Sequence, residues 1–92
     1  MKDPRYKAIK SLIESKNLNS LKDVFTILPY SIVRIDMKMN YNTLRRRVAG
    51  TESLTIKDII LMADLFDVSP VEVFKLSLND VAVKSKLKKK TG

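Results

Sequence analysis

The sequence predicts an all-α fold, a compact bundle of about five short helices. Apolar residues make up 45% of the 92 residues, and they recur three and four positions apart, as on one face of a helix. Ser, Thr, Asn and Asp precede these segments where helix N-caps are expected. Connections of about 2–6 residues separate them, the spacing of a compact helical domain. No segment alternates like a strand, so residues 1–80 are predicted to form a single helical domain.

Three helices are predicted in the first half of the chain. The first, over residues 4–16, has Asp-Pro at its start, an N-cap followed by proline at the first helical position. The second follows the capping-box sequence at residues 20–23. Pro29 has no amide hydrogen to donate, so a third, short helix is predicted to begin there and to carry apolar residues as far as Met37.

Three more segments follow in the second half. Asn40 is the predicted N-cap of the next helix, and Gly50 is its stop signal. The segment 55–67 begins with a capping box and is apolar nearly all round, so it is predicted to be the central buried helix. The last helix, over about residues 70–78, begins after a Ser N-cap with proline at its first position, and its apolar residues are expected to enter the core.

The formal net charge of +8 is distributed unevenly along the chain. Residues 1–49 have a net charge of +7, residues 50–80 have −4, and residues 81–92 contain five lysines and no acid. We expect this basic tail to be frayed or disordered, with a short extra helix over residues 81–83 as the alternative. A positive charge of this size on a small chain indicates a polyanionic partner.

The composition excludes most catalytic chemistry. The chain has no Cys and no His, which removes disulfides, zinc thiolates, the usual general base and the usual nitrogen ligand for metals. It has no glycine-rich phosphate loop and no nucleophile elbow, so we expect neither an enzyme nor a bound cofactor or metal. No apolar run approaches the ~18 residues of a membrane span, and the N-terminus lacks a signal-peptide core. An intracellular protein without a membrane partner is therefore expected.

Three segments carry a resemblance to a known family. Residues 29–37 stand where a first motif helix would lie, residues 38–50 match a turn and recognition helix ending in Gly, and residues 54–74 match two supporting helices. Together they resemble the helix-turn-helix domains of the lambda-repressor-like (Cro/C1, Xre) family over about half of the chain. The family usually has Gly where Lys38 stands, so a positive φ at this turn would be less favourable here.

The resemblance makes the segment 40–48 the expected recognition helix. If Leu44 points into the core, Asn42 and Arg46 lie on the opposite side of the helix. Their amide and guanidinium groups suit base edges in the major groove. The candidates for base contact are Tyr41, Asn42, Thr43, Arg45 and Arg46. The candidates for phosphate contact, which lie at helix ends and loops beside this face, are Ser31, Lys38, Arg47, Thr51, Ser53 and Lys57.

The resemblance implies a sequence-specific double-stranded DNA-binding transcriptional regulator, a small repressor-like or Cro-like protein without an effector domain. Such a protein would be cytoplasmic, of bacterial or phage type and nucleoid-associated. A homodimer on a palindromic site is expected, because one module of this size contacts few base pairs. The main alternative is a protein-interaction module, such as an antitoxin or adaptor, with the same fold. RNA binding ranks third, since no aromatic pair typical of single-strand binders is evident.

Overall fold

Six α-helices and one short 3-10 turn make up the part of the chain described by the computed structural model, which covers the backbone of residues 3–91 and the side chains of residues 3–81. In chain order the helices are α1 (Arg5–Glu14), α2 (Leu21–Ile27), α3 (Tyr30–Asp36), α4 (Tyr41–Ala49), α5 (Ile56–Phe66) and α6 (Pro70–Thr91), with the 3-10 turn Thr51–Ser53 between α4 and α5. These described residues include no strand, so the all-α prediction is confirmed. The radius of gyration, 13.1 Å, is close to the ~12 Å expected of a compact domain of this length.

The final helix is longer than the sequence analysis predicted. Its backbone is helical from Pro70 to Thr91, so it continues past residue 78 and through the basic tail. After Pro70 the sequence contains no Gly or Pro until Gly92, and the helix therefore meets no residue that commonly ends one.

Two capping boxes start helices where the sequence predicted them. At α2, Ser20 Oγ accepts a hydrogen bond from the amide of Asp23 at 3.3 Å, and the Asp23 carboxylate accepts from the Ser20 amide. At α5, Thr55 Oγ1 accepts from the amide of Asp58 at 3.0 Å, and Asp58 Oδ2 accepts from the Thr55 amide at 3.1 Å. Each box satisfies backbone donors that a helix start otherwise leaves unpaired.

Three helices end on a left-handed residue that is not glycine. Lys16, Lys38 and Asp67 have φ values of 63°, 54° and 56°, and they follow α1, α3 and α5. After each of them, the next amide donates to the carbonyl five residues earlier; these bonds are Asn17 to Leu12, Met39 to Arg34 and Val68 to Ala63. This is the Schellman motif, which usually places Gly at the left-handed position. The positive φ considered for Lys38 is therefore observed.

The core draws side chains from all six helices. Helix α1 packs against α2 and α5, α6 packs against α2, α5 and the 3-10 turn, and α4 packs against α2 and α3. The buried apolar side chains are Tyr6, Ile9, Ile13, Leu21, Val24, Phe25, Leu28, Val33, Met37, Leu44, Val48, Ile59, Met62, Ala63, Phe66, Val73 and Leu76.

Helix α5 is less completely buried than its composition predicted. Its inner face is covered, but Ile56 is 77% exposed and Ile60 is 51% exposed. On α6, Phe74 and Leu78 are also about half exposed, whereas the sequence analysis expected them in the core. The reason is that α1 and α6 cover only part of the α5 surface, so one apolar edge remains outside the core.

The N-terminal helix is attached to the centre of the domain through Tyr6. The Tyr6 ring is buried, with its centroid 6.1 Å from that of Phe66 on α5. Its hydroxyl donates a 2.5 Å hydrogen bond to Asp36 Oδ2 at the end of α3. Burial and the adjacent Asp36 carboxylate raise the pKa of the Tyr6 hydroxyl well above its ordinary value, so the phenol stays a donor at neutral pH.

Helix α6 is attached by polar contacts to the segment before α2 and to the 3-10 turn after α4. Asn79 Nδ2 donates to the carbonyl of Asn19 at 2.7 Å, just before α2. Nearby, burial raises the pKa of Asp80. Toward the middle of α6, the backbone carbonyl of Ser77 accepts a 3.0 Å hydrogen bond from the hydroxyl of Thr51 in the 3-10 turn. These bonds fix α6 beside the loop that follows α4.

We expect Lys38→Gly to stabilise the protein. The left-handed conformation costs a non-glycine residue about 1–2 kcal/mol, and glycine loses about 0.5–1 kcal/mol more conformational entropy on folding. The free energy of unfolding, measured by urea denaturation with circular dichroism, should therefore rise by about 0.5–1 kcal/mol. Lys57→Gly, at an exposed helical position, is the matched control and should lower it by about 1 kcal/mol. An equal decrease in the free energy of unfolding of both variants would contradict this explanation.

Candidate nucleic-acid interface

Helix α4 buries one side and exposes the other. Leu44 and Val48 have no exposed surface, so they fix the helix against the core. Asn42, Arg45 and Arg46 are exposed. The two remaining candidates for base contact lie at the edges of this surface: Tyr41 is 40% exposed and Thr43 is half-buried. The structure thus brings amide, hydroxyl and guanidinium groups together on the outer side of one helix.

The start of α4 is held by its predicted cap. Asn40 Oδ1 accepts a hydrogen bond from the amide of Asn42 at 2.8 Å, and the Asn40 carbonyl accepts from the amide of Leu44 at 3.0 Å. Lys38, in its left-handed conformation, turns the chain between α3 and this cap. The short connection fixes the first turn of α4, which is the part of such a helix that usually contacts bases.

Three aromatic rings connect α2, α3 and α4. Phe25 and Tyr30 are stacked, with centroids 4.6 Å apart and planes 6° from parallel. Tyr30 and Tyr41 meet edge to face, with centroids 6.0 Å apart and an interplanar angle of 73°. Burial raises the pKa of Tyr30, and the positive charge of Arg45 opposes that shift. Sequence spacing does not reveal this cluster, because its members are separated by turns and share no helical periodicity.

Arg47 lies differently from the other two arginines. Its Nη1 donates to Asp58 Oδ2 at 2.9 Å, and the Asp58 side chain is only 4% exposed. The same oxygen accepts the Thr55 amide in the capping box of α5. Arg47 was predicted to contact phosphate, but its guanidinium points towards the start of α5 and forms a largely buried ion pair. It holds α4 against α5.

The other phosphate candidates divide by exposure. Thr51 is buried, and its hydroxyl donates to the Ser77 carbonyl, so this placement removes it from the phosphate candidates. Ser53 is exposed, and its hydroxyl donates to the Gly50 carbonyl at 2.7 Å. The phosphate candidates that are exposed are therefore Ser31, Lys38, Ser53 and Lys57.

Arg34 adds a positive charge that the predicted set omitted. It is exposed in the last turn of α3, four residues before Lys38. Helix α4 itself contains three arginines and no carboxylate. Of these arginines, Arg47 is paired with a carboxylate, that of Asp58. The outer side of α4 and the adjoining turn therefore form a positively charged surface with hydrogen-bond donors, suited to an anionic polymer.

Comparison with protein-family models, curated proteins and solved structures gives no match.

Among the described residues, no helix combines the length and the hydropathy that crossing a membrane requires. No group of three or more Asp or Glu side chains comes together there in a way that could hold a metal ion.

We expect Arg47 and Asp58 to be energetically coupled. Arg47→Met leaves a buried carboxylate without its guanidinium, which should lower the free energy of unfolding by about 1–3 kcal/mol. A double-mutant cycle with Asp58→Asn, measured by urea denaturation, should give a coupling of about 1–2 kcal/mol. Arg46→Met is the matched control on the exposed side and should change stability by less than about 0.5 kcal/mol. A coupling near zero would show that the pair does not hold α4.

Proposed function

We propose that the protein is a sequence-specific, double-stranded DNA-binding transcriptional regulator that inserts α4 into the major groove. The observation that carries the proposal is the outer side of α4, where Asn42, Arg45 and Arg46 are exposed together while Leu44 and Val48 anchor the helix. The backbone of α4 is attached to the domain by the cap at its start and by the contact of Arg47 with α5.

The side chains on this surface match the groups that DNA presents. A guanidinium fork pairs with O6 and N7 of guanine, and a side-chain amide pairs with N6 and N7 of adenine. Arg45, Arg46 and Asn42 supply these two kinds of group within two turns of helix. The nine residues of α4 span about 14 Å, a length that fits along a major groove about 12 Å wide.

Contacts to phosphate would come from the edges of the same surface. Lys38 lies before α4, Lys57 lies in the first turn of α5, and Ser31 lies in the first turn of α3. Each phosphate neutralised by a cation should steepen the log–log dependence of affinity on salt by about 0.9. The helical backbone of α6 continues through the lysine-rich tail, which adds positive charge to the chain and would strengthen binding without specificity.

The proposal includes a homodimer on a palindromic site. One helix of this length contacts few base pairs, so a dimer whose half-sites are one helical turn apart would supply the missing specificity. Val71, Phe74 and Leu78 support association, because they are exposed at helical spacing along one side of α6. The sequence also resembles lambda-repressor-like proteins. We therefore propose a small cytoplasmic, nucleoid-associated repressor of bacterial or phage type.

A protein-interaction module is the second candidate. It is favoured by the apolar edge of α5, where Ile56 and Ile60 are exposed within the acidic segment 50–80. Such a surface suits a protein partner rather than DNA. A stoichiometric partner in co-purification, combined with no binding of the isolated chain to duplex DNA at low salt, would favour this candidate.

The test is selection of bound duplexes from a random pool, followed by fluorescence anisotropy at about 50 and 200 mM salt. We expect a recovered palindrome to bind more tightly than a scrambled duplex at both salt concentrations. Arg46→Ala should weaken binding to the selected site by about 1–3 kcal/mol, roughly 5- to 150-fold in Kd.

Lys75→Ala is the matched control, because it removes one positive charge from the exposed side of α6. Its effect on Kd should stay within about twofold at the higher salt. Binding that is independent of sequence at both salt concentrations would exclude specific regulation. Equal effects of the two substitutions would exclude α4 as the helix that contacts bases.

A further inference from the structure

A cavity of about 220 Å³, half open to solvent, lies between α1 and the end of α5, on elements outside the candidate DNA surface. Its walls are mostly apolar and are formed by Pro4, Tyr6, Leu65 and Phe66. An apolar protein cavity of about 150 Å³ is large enough to bind benzene. This cavity therefore has room for a single six-membered ring with one small substituent.

The walls are already held in place without a ligand. The Tyr6 ring is fixed at both ends, by its contact with Phe66 at 6.1 Å and by the hydrogen bond from its hydroxyl to Asp36. Phe66 has no exposed surface and belongs to the core. A ligand would not need to order these two side chains, which removes part of the entropic cost of binding.

The charges at the cavity rim determine what kind of ligand fits. The Asp3 carboxylate accepts three bonds from Arg5, one from its amide at 2.8 Å and two from its guanidinium at 2.9 Å, and Asp67 accepts a 3.0 Å bond from Lys10. Both carboxylates are therefore already neutralised. Lys7 lines the same cavity and is exposed, and its ammonium group makes no hydrogen bond or ion pair with any residue in the described part of the chain.

We propose that this cavity is a binding site for a small monocyclic aromatic carboxylate. The ring would lie against Pro4 and Leu65, the apolar lining residues that keep exposed surface, with the buried rings of Tyr6 and Phe66 behind them, and the carboxylate would pair with the Lys7 ammonium. A cation would meet carboxylates that already have partners, and a neutral ring would leave Lys7 unpaired, so the anion is the form that the site favours. The site stands on its own contacts and is independent of whether the protein binds DNA.

The test is a titration of the full chain with benzoate, followed by ¹H–¹⁵N correlation NMR. We expect saturable shifts of the backbone amides of Tyr6, Lys7, Leu65, Phe66 and Asp67, with a Kd on the order of 1–10 mM, as suits a ligand of this size. Benzamide, which is neutral, and benzylammonium, which is cationic, should bind at least about twofold more weakly than benzoate.

Matched substitutions separate this site from non-specific attraction to a basic protein. Lys7→Met should weaken benzoate binding roughly two- to fivefold, and Lys7→Glu should weaken it further. Lys75→Met removes the same charge from the exposed side of α6, away from the cavity lining, and should leave the Kd unchanged. The proposal is overturned if the shifts do not saturate at these amides, if the three probes bind equally, or if Lys75→Met weakens binding as much as Lys7→Met does.

Discussion

The carboxylate of Asp58 is the point on which the arrangement of α4 and α5 depends. One of its oxygens, Oδ2, accepts both the Arg47 guanidinium and the Thr55 amide, and the Asp58 amide in turn donates to the Thr55 hydroxyl. A carboxylate with 4% of its side chain exposed is costly to bury unless it is paired and hydrogen-bonded. Here the capping box lowers that cost, and so the start of α5 and the orientation of α4 are fixed together.

Helix ends in this protein are stabilised by backbone bonds at some conformational cost. Lys16, Lys38 and Asp67 adopt a conformation that glycine would adopt with less strain, and the Schellman bonds after each of them offset part of that cost. The turn at Lys38 matters most for the candidate interface, because it sets the angle at which the chain enters α4. A cation at this position keeps positive charge beside α4, which glycine would not supply.

The sequence predicted the features that depend on near neighbours. The caps at Ser20, Asn40 and Thr55 were correctly placed, since each involves residues only two or three positions apart. Features that depend on distant residues were missed. The partner of Arg47 lies eleven residues away and faces α4 only after the turn over residues 50–55. The exposure of Ile60 likewise depends on how far α1 and α6 cover α5, which periodicity alone does not show.

The three arginines of α4 lie in two different environments. Three consecutive arginines on a helix cannot share one direction, because successive helical residues point about 100° apart. Arg47 falls on the side that meets α5 and is neutralised there, whereas Arg45 and Arg46 face outward with Asn42. Arg45 and Arg46 therefore stay on the exposed side of the helix, while Arg47 pairs with α5. If α4 contacts DNA as we propose, this attachment of its backbone would favour specific recognition, because a helix free to shift would bind phosphate as readily as a base edge.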